Sequence, residues 1–223
     1  MIKSAKEDML YMSVNRRNEC FEVEDNMTAV GKFVKRILDI VCSFLGLVLL
    51  SPIFLITYLA LKWQGEGSVI FKQERIGYQG KPFYMYKFRT MHVNAENDGP
   101  QLAIKNDVRL TRIGKFLREH HLDELPQFWN VFIGDMSMVG YRPERKYFID
   151  QIMAEDSRYK CLFQIKPGVT SEATLYNGYT NTMEKMLERL NMDLRYLETA
   201  TVAKDIMIIF KTFRVIILGD KSN

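Results

Sequence analysis

Cysteine and histidine are scarce in this 223-residue chain, which contains three of each. Cys20, Cys42 and Cys161 are widely spaced and odd in number. They outline neither a zinc site nor a disulfide framework and favour a reducing compartment. His120 and His121 are adjacent, but no third soft ligand is spaced with them, which argues against zinc. With 47% hydrophobic and 26% charged residues, the chain has the composition of a globular protein.

A strong overall charge is also missing, because the formal net charge is only +4. The charge is nevertheless concentrated: residues 62–118 contain 11 Lys or Arg against 5 Asp or Glu. A basic block of this kind suits nucleic acid, an anionic membrane surface or phosphorylated substrates. The composition leaves these three classes of partner open.

A cleavable signal peptide is not recognisable, since the apolar run Ile37–Leu61 begins too late and is too long. Its 25 residues are long enough to cross a bilayer core of about 30 Å. Ser51-Pro52 near its middle predicts a kink, and the Ser51 hydroxyl is expected to satisfy the carbonyl that the proline leaves free. Lysines and arginines flank both ends, so both ends favour the cytoplasmic side.

We therefore predict a proline-broken helix that enters the membrane and returns, with a straight single-pass anchor as the alternative. Asp39 is expected near the headgroups, paired with Lys35 or Arg36.

Two β-prone runs at 68–75 and 81–90 are joined by a turn bounded by Gly77 and Gly80, which predicts a hairpin. Alternation places Lys87 and Arg89 on one face, and Tyr84, Tyr86 and Phe88 on the other. The basic face is suited to binding an anion. An ordinary hairpin with solvated cations explains the pattern equally well.

Two adjacent carboxylates, Asp123 and Glu124, precede Pro126 and follow a helical pattern at 109–122. Proline is favoured at the start of a helix and disfavours helical geometry in its predecessor. The pair is therefore expected just outside a helix N-terminus, where anions are stabilised. By spacing alone, Asp123 and Glu124 are either helix caps or a nucleophile and a magnesium ligand.

Two amphipathic stretches complete the chain. Leucines and methionines at 183–197 keep a helical spacing that predicts packing on the domain. The run 206–218 is apolar but contains Lys211 and Arg214, and it is too short to span a membrane. It is either buried core or, as we favour, an interfacial helix.

Several motifs, taken in order, resemble the bacterial sugar transferases, a family of monotopic phosphoglycosyl transferases that use polyprenyl phosphate. The resemblance covers roughly residues 32–218, and the chain lacks the long multi-pass N-terminal region of larger members, so a minimal catalytic form is expected. The matching motifs are Lys35-Arg36-Ile-Leu-Asp39, Ser51-Pro52, Phe71-Lys72-Gln-Glu-Arg75-Ile-Gly77, Tyr86-Lys-Phe-Arg-Thr-Met91, Asp107-Val-Arg-Leu-Thr-Arg112-Ile-Gly114, Leu122-Asp-Glu-Leu-Pro-Gln127, Gly134-Asp-Met-Ser-Met-Val-Gly140, Arg142-Pro143 and Lys166-Pro-Gly168.

The resemblance implies transfer of a sugar phosphate from a UDP-sugar to undecaprenyl phosphate, with release of UMP. Asp123 is then the nucleophile that forms a covalent phosphosugar intermediate, and Glu124 helps to hold Mg²⁺. Phosphoryl transfer also needs cations around the developing negative charge. The candidates in or near the basic block are Lys72, Arg75, Lys87, Arg89, Arg109, Arg112 and Arg142.

The expected place of action is the cytoplasmic face of the bacterial inner membrane, as the first membrane step of exopolysaccharide, capsule or O-antigen synthesis. Partners are the UDP-sugar, undecaprenyl phosphate and membrane lipids, with no nucleic acid; a homo-oligomer is left open. Two segments depart from the usual family pattern: Gly140-Tyr-Arg-Pro143 and 169–178. If the second segment contacts the sugar or the base, the substrate choice inferred from relatives is in doubt.

The predicted fold class is α+β, mostly helical with a small β-hairpin, a re-entrant membrane helix and interfacial amphipathic helices. The predicted divisions are a polar arm (1–31), the membrane helix (32–62) and a cytoplasmic catalytic domain (63–223). The alternatives are a catalytically silent membrane-attached scaffold, which would not need Asp123, and a basic binding protein, which would bind nucleic acid in a salt-dependent way.

Overall fold

The computed structural model describes residues 23–65, 67–95, 99, 101, 107–177 and 182–218. The predicted arm falls largely outside this range. The helices are α1 (Ala29–Leu49), α2 (Ser51–Gln64), α3 (Arg112–Glu119), α4 (Gln127–Ile133), α5 (Lys146–Glu155), α6 (Glu172–Tyr176), α7 (Met183–Thr199) and α8 (Val202–Leu218). The strands are β1 (Ile70–Ile76), β2 (Pro82–Phe88), β3 (Ser137–Val139) and β4 (Gly168–Thr170). Helices dominate, so the predicted α+β class with a small hairpin is confirmed.

The break in the apolar run lies where the sequence predicts it. Helix α1 ends at Leu49, α2 begins at Ser51, and the two are bent by 58°. Pro52 cannot donate to the carbonyl of Val48 four residues earlier, and the Ser51 hydroxyl donates to that oxygen instead, at 2.7 Å. Within the part of the chain that the structure describes, no single helix is long and apolar enough to span a membrane, whereas α1 and α2 meet the test together.

Helix α1 begins earlier than predicted, inside the segment assigned to the arm. Thr28 caps its N-terminus by accepting a hydrogen bond from the backbone of Gly31 at 3.1 Å. Val23 and Met27, just before the helix, are buried in two hydrophobic clusters. Packing of these apolar side chains therefore fixes the chain before the helix starts.

Asp39 is also placed differently from the prediction. Its carboxylate is buried and accepts hydrogen bonds from the Ser137 hydroxyl at 3.0 Å and the Met138 backbone at 2.8 Å. Lys35 instead donates to Asp205 of α8 at 2.6 Å. Asp39 thus attaches α1 to β3, a contact across 98 positions that the local sequence does not reveal.

The hairpin is confirmed, with β1 and β2 antiparallel and Phe71 opposite Lys87. The turn between them is a short 3₁₀ segment, Tyr78–Gly80. A second sheet pairs β3 with β4 in parallel, which the sequence analysis missed because each strand has only three residues. The largest hydrophobic cluster lies among α5, α7 and the 3₁₀ segment Ser157–Gln164.

Three other sequence-based expectations need correction. Helix α3 spans only part of the pattern at 109–122, because Thr111 caps it by accepting from Gly114 at 2.9 Å and His121 adopts a left-handed conformation. Helix α8 begins at Val202, four residues before the predicted run. Cys42 is free and Cys161 is disulfide-bonded, so the expectation that the cysteines form no disulfide is wrong at Cys161.

Candidate active site

The two adjacent carboxylates lie on the short 3₁₀ turn Leu122–Glu124, directly before α4. Leu125 is helical despite preceding Pro126, so the expectation of extended geometry at that position is wrong. The turn runs without interruption into α4: the backbone of Phe128 donates to Leu125, and the next residue donates to Pro126. These first-turn N–H groups are therefore occupied by the chain itself. Side-chain cations, rather than a helix N-terminus, supply the positive charge here.

Two cations converge on one oxygen of Glu124. Lys87 of β2 lies 2.6 Å from Glu124 Oε1, and Arg142 lies 3.1 Å from the same atom. Burial works against the charged form of Glu124, but Lys87 and Arg142 outweigh it and hold the pKa of this carboxyl well below its ordinary value. Burial lowers the pKa of Lys87, and Glu124 counteracts that shift. Glu124 is thus held as an anion between two cations.

Asp123 is in a different environment, although it is the next residue. It is 6% exposed, and no hydrogen bond to its carboxylate occurs among the described residues. Burial raises the pKa of Asp123 above its ordinary value; Lys87 opposes the rise and Glu124 adds to it. A poorly solvated carboxylate with no donor on its oxygens is suited to nucleophilic attack. The two neighbours therefore separate into a candidate nucleophile and an ion-paired partner.

The structure brings only two of the seven predicted cations, Lys87 and Arg142, into contact with the carboxylate pair. Lys72 is exposed and lies over the Tyr86 ring, 5.7 Å from its centroid. Arg112 is exposed at the first residue of α3. For these two, substrate contact stays a prediction.

The other three predicted cations are engaged within the fold. Arg75 is ion-paired with Glu144 at 3.0 Å. Arg89 is buried and donates to the carbonyls of Leu61 and Gly65 at the end of α2. The third, Arg109, binds Asp107 through its side chain. The expected pairing of Lys87 and Arg89 on one basic face is therefore not observed, because Arg89 lies beyond the last residue of β2.

Two residues near the site were missed by the sequence analysis. Arg118 of α3 acts electrostatically on Asp123 and donates to the Thr90 hydroxyl at 3.1 Å. Asn130 of α4 is fully buried. Its side chain accepts a hydrogen bond from the Tyr86 backbone at 3.0 Å and donates one to the carbonyl oxygen of Tyr84, also in β2. Arg118 could have been included among the candidate cations, because it belongs to the basic residues that recur along its helix. Asn130 has no local signal for its contact with the hairpin, since its two partners in β2 lie more than 40 positions away.

The donor set fits a magnesium ion only if substrate supplies further oxygens. No group of three His, Cys, Asp or Glu side chains able to hold a metal occurs among the described residues. Both cations bind Oε1 of Glu124, which leaves Oε2 without a hydrogen-bond donor in the described part of the chain. Mg²⁺ is commonly bound by one or two carboxylates together with phosphates and water. Glu124 Oε2 is compatible with that mode.

Comparison with known proteins identifies the family to which the chain is similar. A family model described as bacterial sugar transferase matches residues 30–219. A UDP-glucose:undecaprenyl-phosphate glucose-1-phosphate transferase of Klebsiella pneumoniae is 42% identical over 188 residues, covering 83% of this chain and 40% of the relative. A UDP-N-acetylgalactosamine-undecaprenyl-phosphate N-acetylgalactosaminephosphotransferase of Aeromonas hydrophila is 38% identical over 187 residues, covering 84% and 44%. The chain thus spans less than half the length of these two relatives.

A shorter relative is covered more completely. The UDP-glucose:undecaprenyl-phosphate glucose-1-phosphate transferase of Caulobacter vibrioides is 38% identical over 192 residues, covering 84% of this chain and 71% of the relative. The family match and these identities lead to one conclusion: the chain belongs to the bacterial sugar transferase family.

Proposed function

We propose that this protein transfers a sugar phosphate from a UDP-sugar to undecaprenyl phosphate and releases UMP. The observation that carries the proposal is the contrast between Asp123, buried without a hydrogen-bond donor among the described residues, and Glu124, ion-paired with Lys87 and Arg142. The relatives carry names for this type of reaction but name different sugars, glucose and N-acetylgalactosamine. The sugar is therefore not part of the proposal.

In the first step, an Asp123 oxygen attacks the β-phosphorus of the UDP-sugar. A bond forms between that oxygen and phosphorus, the phosphoanhydride bond breaks, and UMP leaves with the electron pair. In the second step, an oxygen of the lipid phosphate attacks the same phosphorus. The bond to Asp123 breaks, the carboxylate is regenerated, and the sugar is left on a lipid diphosphate.

The neighbouring cations provide charge stabilisation for both steps. Phosphoryl transfer relies mainly on positioning and on positive charge near the equatorial oxygens. Lys87 and Arg142 are already fixed by Glu124, so little reorganisation is needed when the phosphate arrives. Glu124 would hold Mg²⁺ together with substrate phosphate oxygens, and the ion would neutralise further charge on the diphosphate.

Helices α1 and α2 support the proposed placement at the membrane. The pair is bent by 58°, and the two helices expose large apolar side chains such as Phe44, Leu49, Leu55 and Ile56. Apolar surface of this kind indicates contact with a membrane or a partner. We propose that the pair enters the cytoplasmic leaflet and returns, which brings the catalytic turn to the depth of a lipid phosphate.

The test is UMP release from a panel of UDP-sugars with undecaprenyl phosphate and Mg²⁺. Wild type is expected to release UMP from at least one sugar nucleotide, and Asp123→Asn from none, because an amide is not a competent nucleophile here. Glu119→Gln is the matched control, since Glu119 lies nearby on α3 and is exposed. Activity that survives in Asp123→Asn would remove the nucleophile assignment and favour a different reaction or a scaffold.

A further inference from the structure

A second ionic cluster lies two residues along the chain from Arg142. Glu144 Oε2 is 3.0 Å from Arg75 of β1, and Glu144 Oε1 is 2.7 Å from Arg189 of α7. The three side chains are only 11–14% exposed. A carboxylate that binds two guanidinium groups in such a setting uses both oxygens. It therefore joins two elements that are far apart in the sequence.

The backbone around Arg142 is held to the same elements. Arg75 donates to the carbonyl oxygen of Pro143 at 2.9 Å, and the Ile76 backbone donates to that of Glu144 at 3.2 Å. On the other side, the Gly168 backbone donates to the carbonyl oxygen of Tyr141 at 2.8 Å. The residues on either side of Arg142 are thus fixed to β1 and β4. The Arg142 side chain, which is 32% exposed, extends from this fixed backbone and contacts Glu124.

Each of these contacts limits where the Arg142 guanidinium can lie. A buried ion pair is a modest source of stability and a more useful source of conformational specificity when a functional group depends on it. Functional side chains need such supporting contacts, because an error of about 1 Å in position has large kinetic consequences.

We propose that Glu144 is a positioning residue that, through its two arginine partners, keeps the Arg142 guanidinium on Glu124. The proposal rests on the proposed function for its kinetic consequence, but the position of Arg142 can be measured without activity. The sequence predicts that Arg75 binds substrate. In this proposal Arg75 instead acts indirectly, as a partner of Glu144.

The first experiment measures the reactivity of Arg142 toward phenylglyoxal by peptide mass spectrometry on the full chain. Glu144→Gln has one carbonyl oxygen for two guanidinium groups, so one pairing is lost. The rate of Arg142 modification, relative to the exposed Arg112, is expected to rise at least about threefold, the scale of a freed ion pair. Arg189→Gln is expected to give the same change from the α7 side, in case Glu144→Gln folds poorly.

Leu197→Ala is the matched control for this experiment. Leu197 is fully buried on α7, the helix that carries Arg189, but it has no part in the ion pairs. Its truncation is expected to lower stability and leave the relative reactivity of Arg142 unchanged. The proposal is overturned if Arg142 reactivity stays at the wild-type level in both Glu144→Gln and Arg189→Gln, or if Leu197→Ala raises it equally.

The second experiment is a double-mutant cycle on UMP release. Glu144→Gln is expected to lower kcat about tenfold or more, with a smaller change in KM, because Arg142 is misplaced rather than removed. In an Arg142→Ala background the same substitution is expected to have little further effect, and Glu144→Asp to regain part of the loss in the wild-type background. Effects that multiply would mean that Glu144 acts on the fold in general and would overturn the proposal. A wild type that releases no UMP counts against the proposed function alone, since Arg142 reactivity still decides the positioning.

Discussion

The amino group of Lys87 lies 2.6 Å from Glu124 Oε1 and so ties the second strand of the hairpin to the turn that carries Asp123. Both side chains are less than a fifth exposed, and the two residues are 37 positions apart. The hairpin therefore contributes one specific cation to the site rather than a basic face. This contact allows a direct test of the charge arrangement.

Lys87→Met removes that cation and keeps most of the aliphatic chain. Burial would then raise the pKa of Glu124, and of its two ion-pair partners Arg142 alone would remain to lower it. Removing one partner of a buried ion pair costs about 3 kcal/mol, here at the lower end of the usual range because Arg142 remains. We expect a lower Tm and at least a tenfold loss of UMP release.

Lys72→Met provides the control for Lys87→Met. Lys72 lies in the neighbouring strand β1 and is exposed. Within the part of the chain that the structure describes, its side chain contacts only the Tyr86 ring. Its replacement is expected to change Tm little. Equal losses of stability in the two variants would contradict the assignment of the Lys87 ion pair as a structural contact of the site.

The features that could be predicted from the sequence depend on local signals. Ser51-Pro52 fixed the position of the helix break, because both the missing donor and its substitute lie within four residues. The hairpin followed from its glycine-bounded turn. The proposed roles of Asp123 and Glu124 are open by spacing alone, come from the family resemblance and stay predictions.

The features that could not be predicted depend on contacts between distant residues. Arg75 and Arg89 had the same local appearance as Lys87, namely cations in a β-prone run. Arg75 is ion-paired with Glu144, whereas Arg89 donates to a carbonyl near the C-terminal end of α2. A basic side chain in a strand does not indicate whether it meets a carboxylate, a carbonyl or a substrate. Only the tertiary arrangement separates these cases.

Gly114 in α3 allows a sharp test of packing next to the site. A Cβ added there would lie 1.9 Å from the carbonyl oxygen of Thr90, which also accepts a hydrogen bond from Thr111. Because the obstacle is backbone, Gly114→Ala must displace α3, and we expect a loss of about 3 kcal/mol or more in the free energy of unfolding. Gly31→Ala is the control, since its nearest obstacle is a side-chain atom, of Met27, rather than backbone. A Gly114→Ala variant as stable as Gly31→Ala would contradict this packing.

The membrane arrangement is tested with topology reporters. We expect reporters at residue 2 and at the C-terminus to lie on the same, cytoplasmic side, because in the proposed arrangement the chain enters the membrane along α1, bends and returns along α2. Pro52→Ala restores a donor for the Val48 carbonyl, so it favours a straighter helix and is expected to move one reporter to the opposite side in a fraction of molecules. Opposite sides in the wild type would mean a true span.

The last prediction concerns the pH dependence that Asp123 confers on stability. Its pKa is raised in the folded state, chiefly by burial, so the folded protein retains a proton that the unfolded chain has already released. Where the native state binds more protons than the unfolded state, stability falls as pH rises. Asp123 therefore costs stability progressively as pH rises above its unfolded pKa of about 3.9, until its folded pKa is passed. Glu124 behaves oppositely: its lowered pKa adds stability above its unfolded pKa, and this is lost as pH falls.

Asp123→Asn removes the pH-dependent loss of stability that Asp123 causes and keeps a side chain of the same shape. We expect the difference in Tm between Asp123→Asn and wild type to grow in favour of the variant from pH 4 to pH 7, while UMP release is lost. Such a gain in stability with loss of activity is characteristic of a strained catalytic group. Glu124→Gln serves as the comparison and is expected to become less stable relative to wild type over the same range. A difference for Asp123→Asn that is flat with pH would show that Asp123 is well solvated, contrary to its burial beside Glu124.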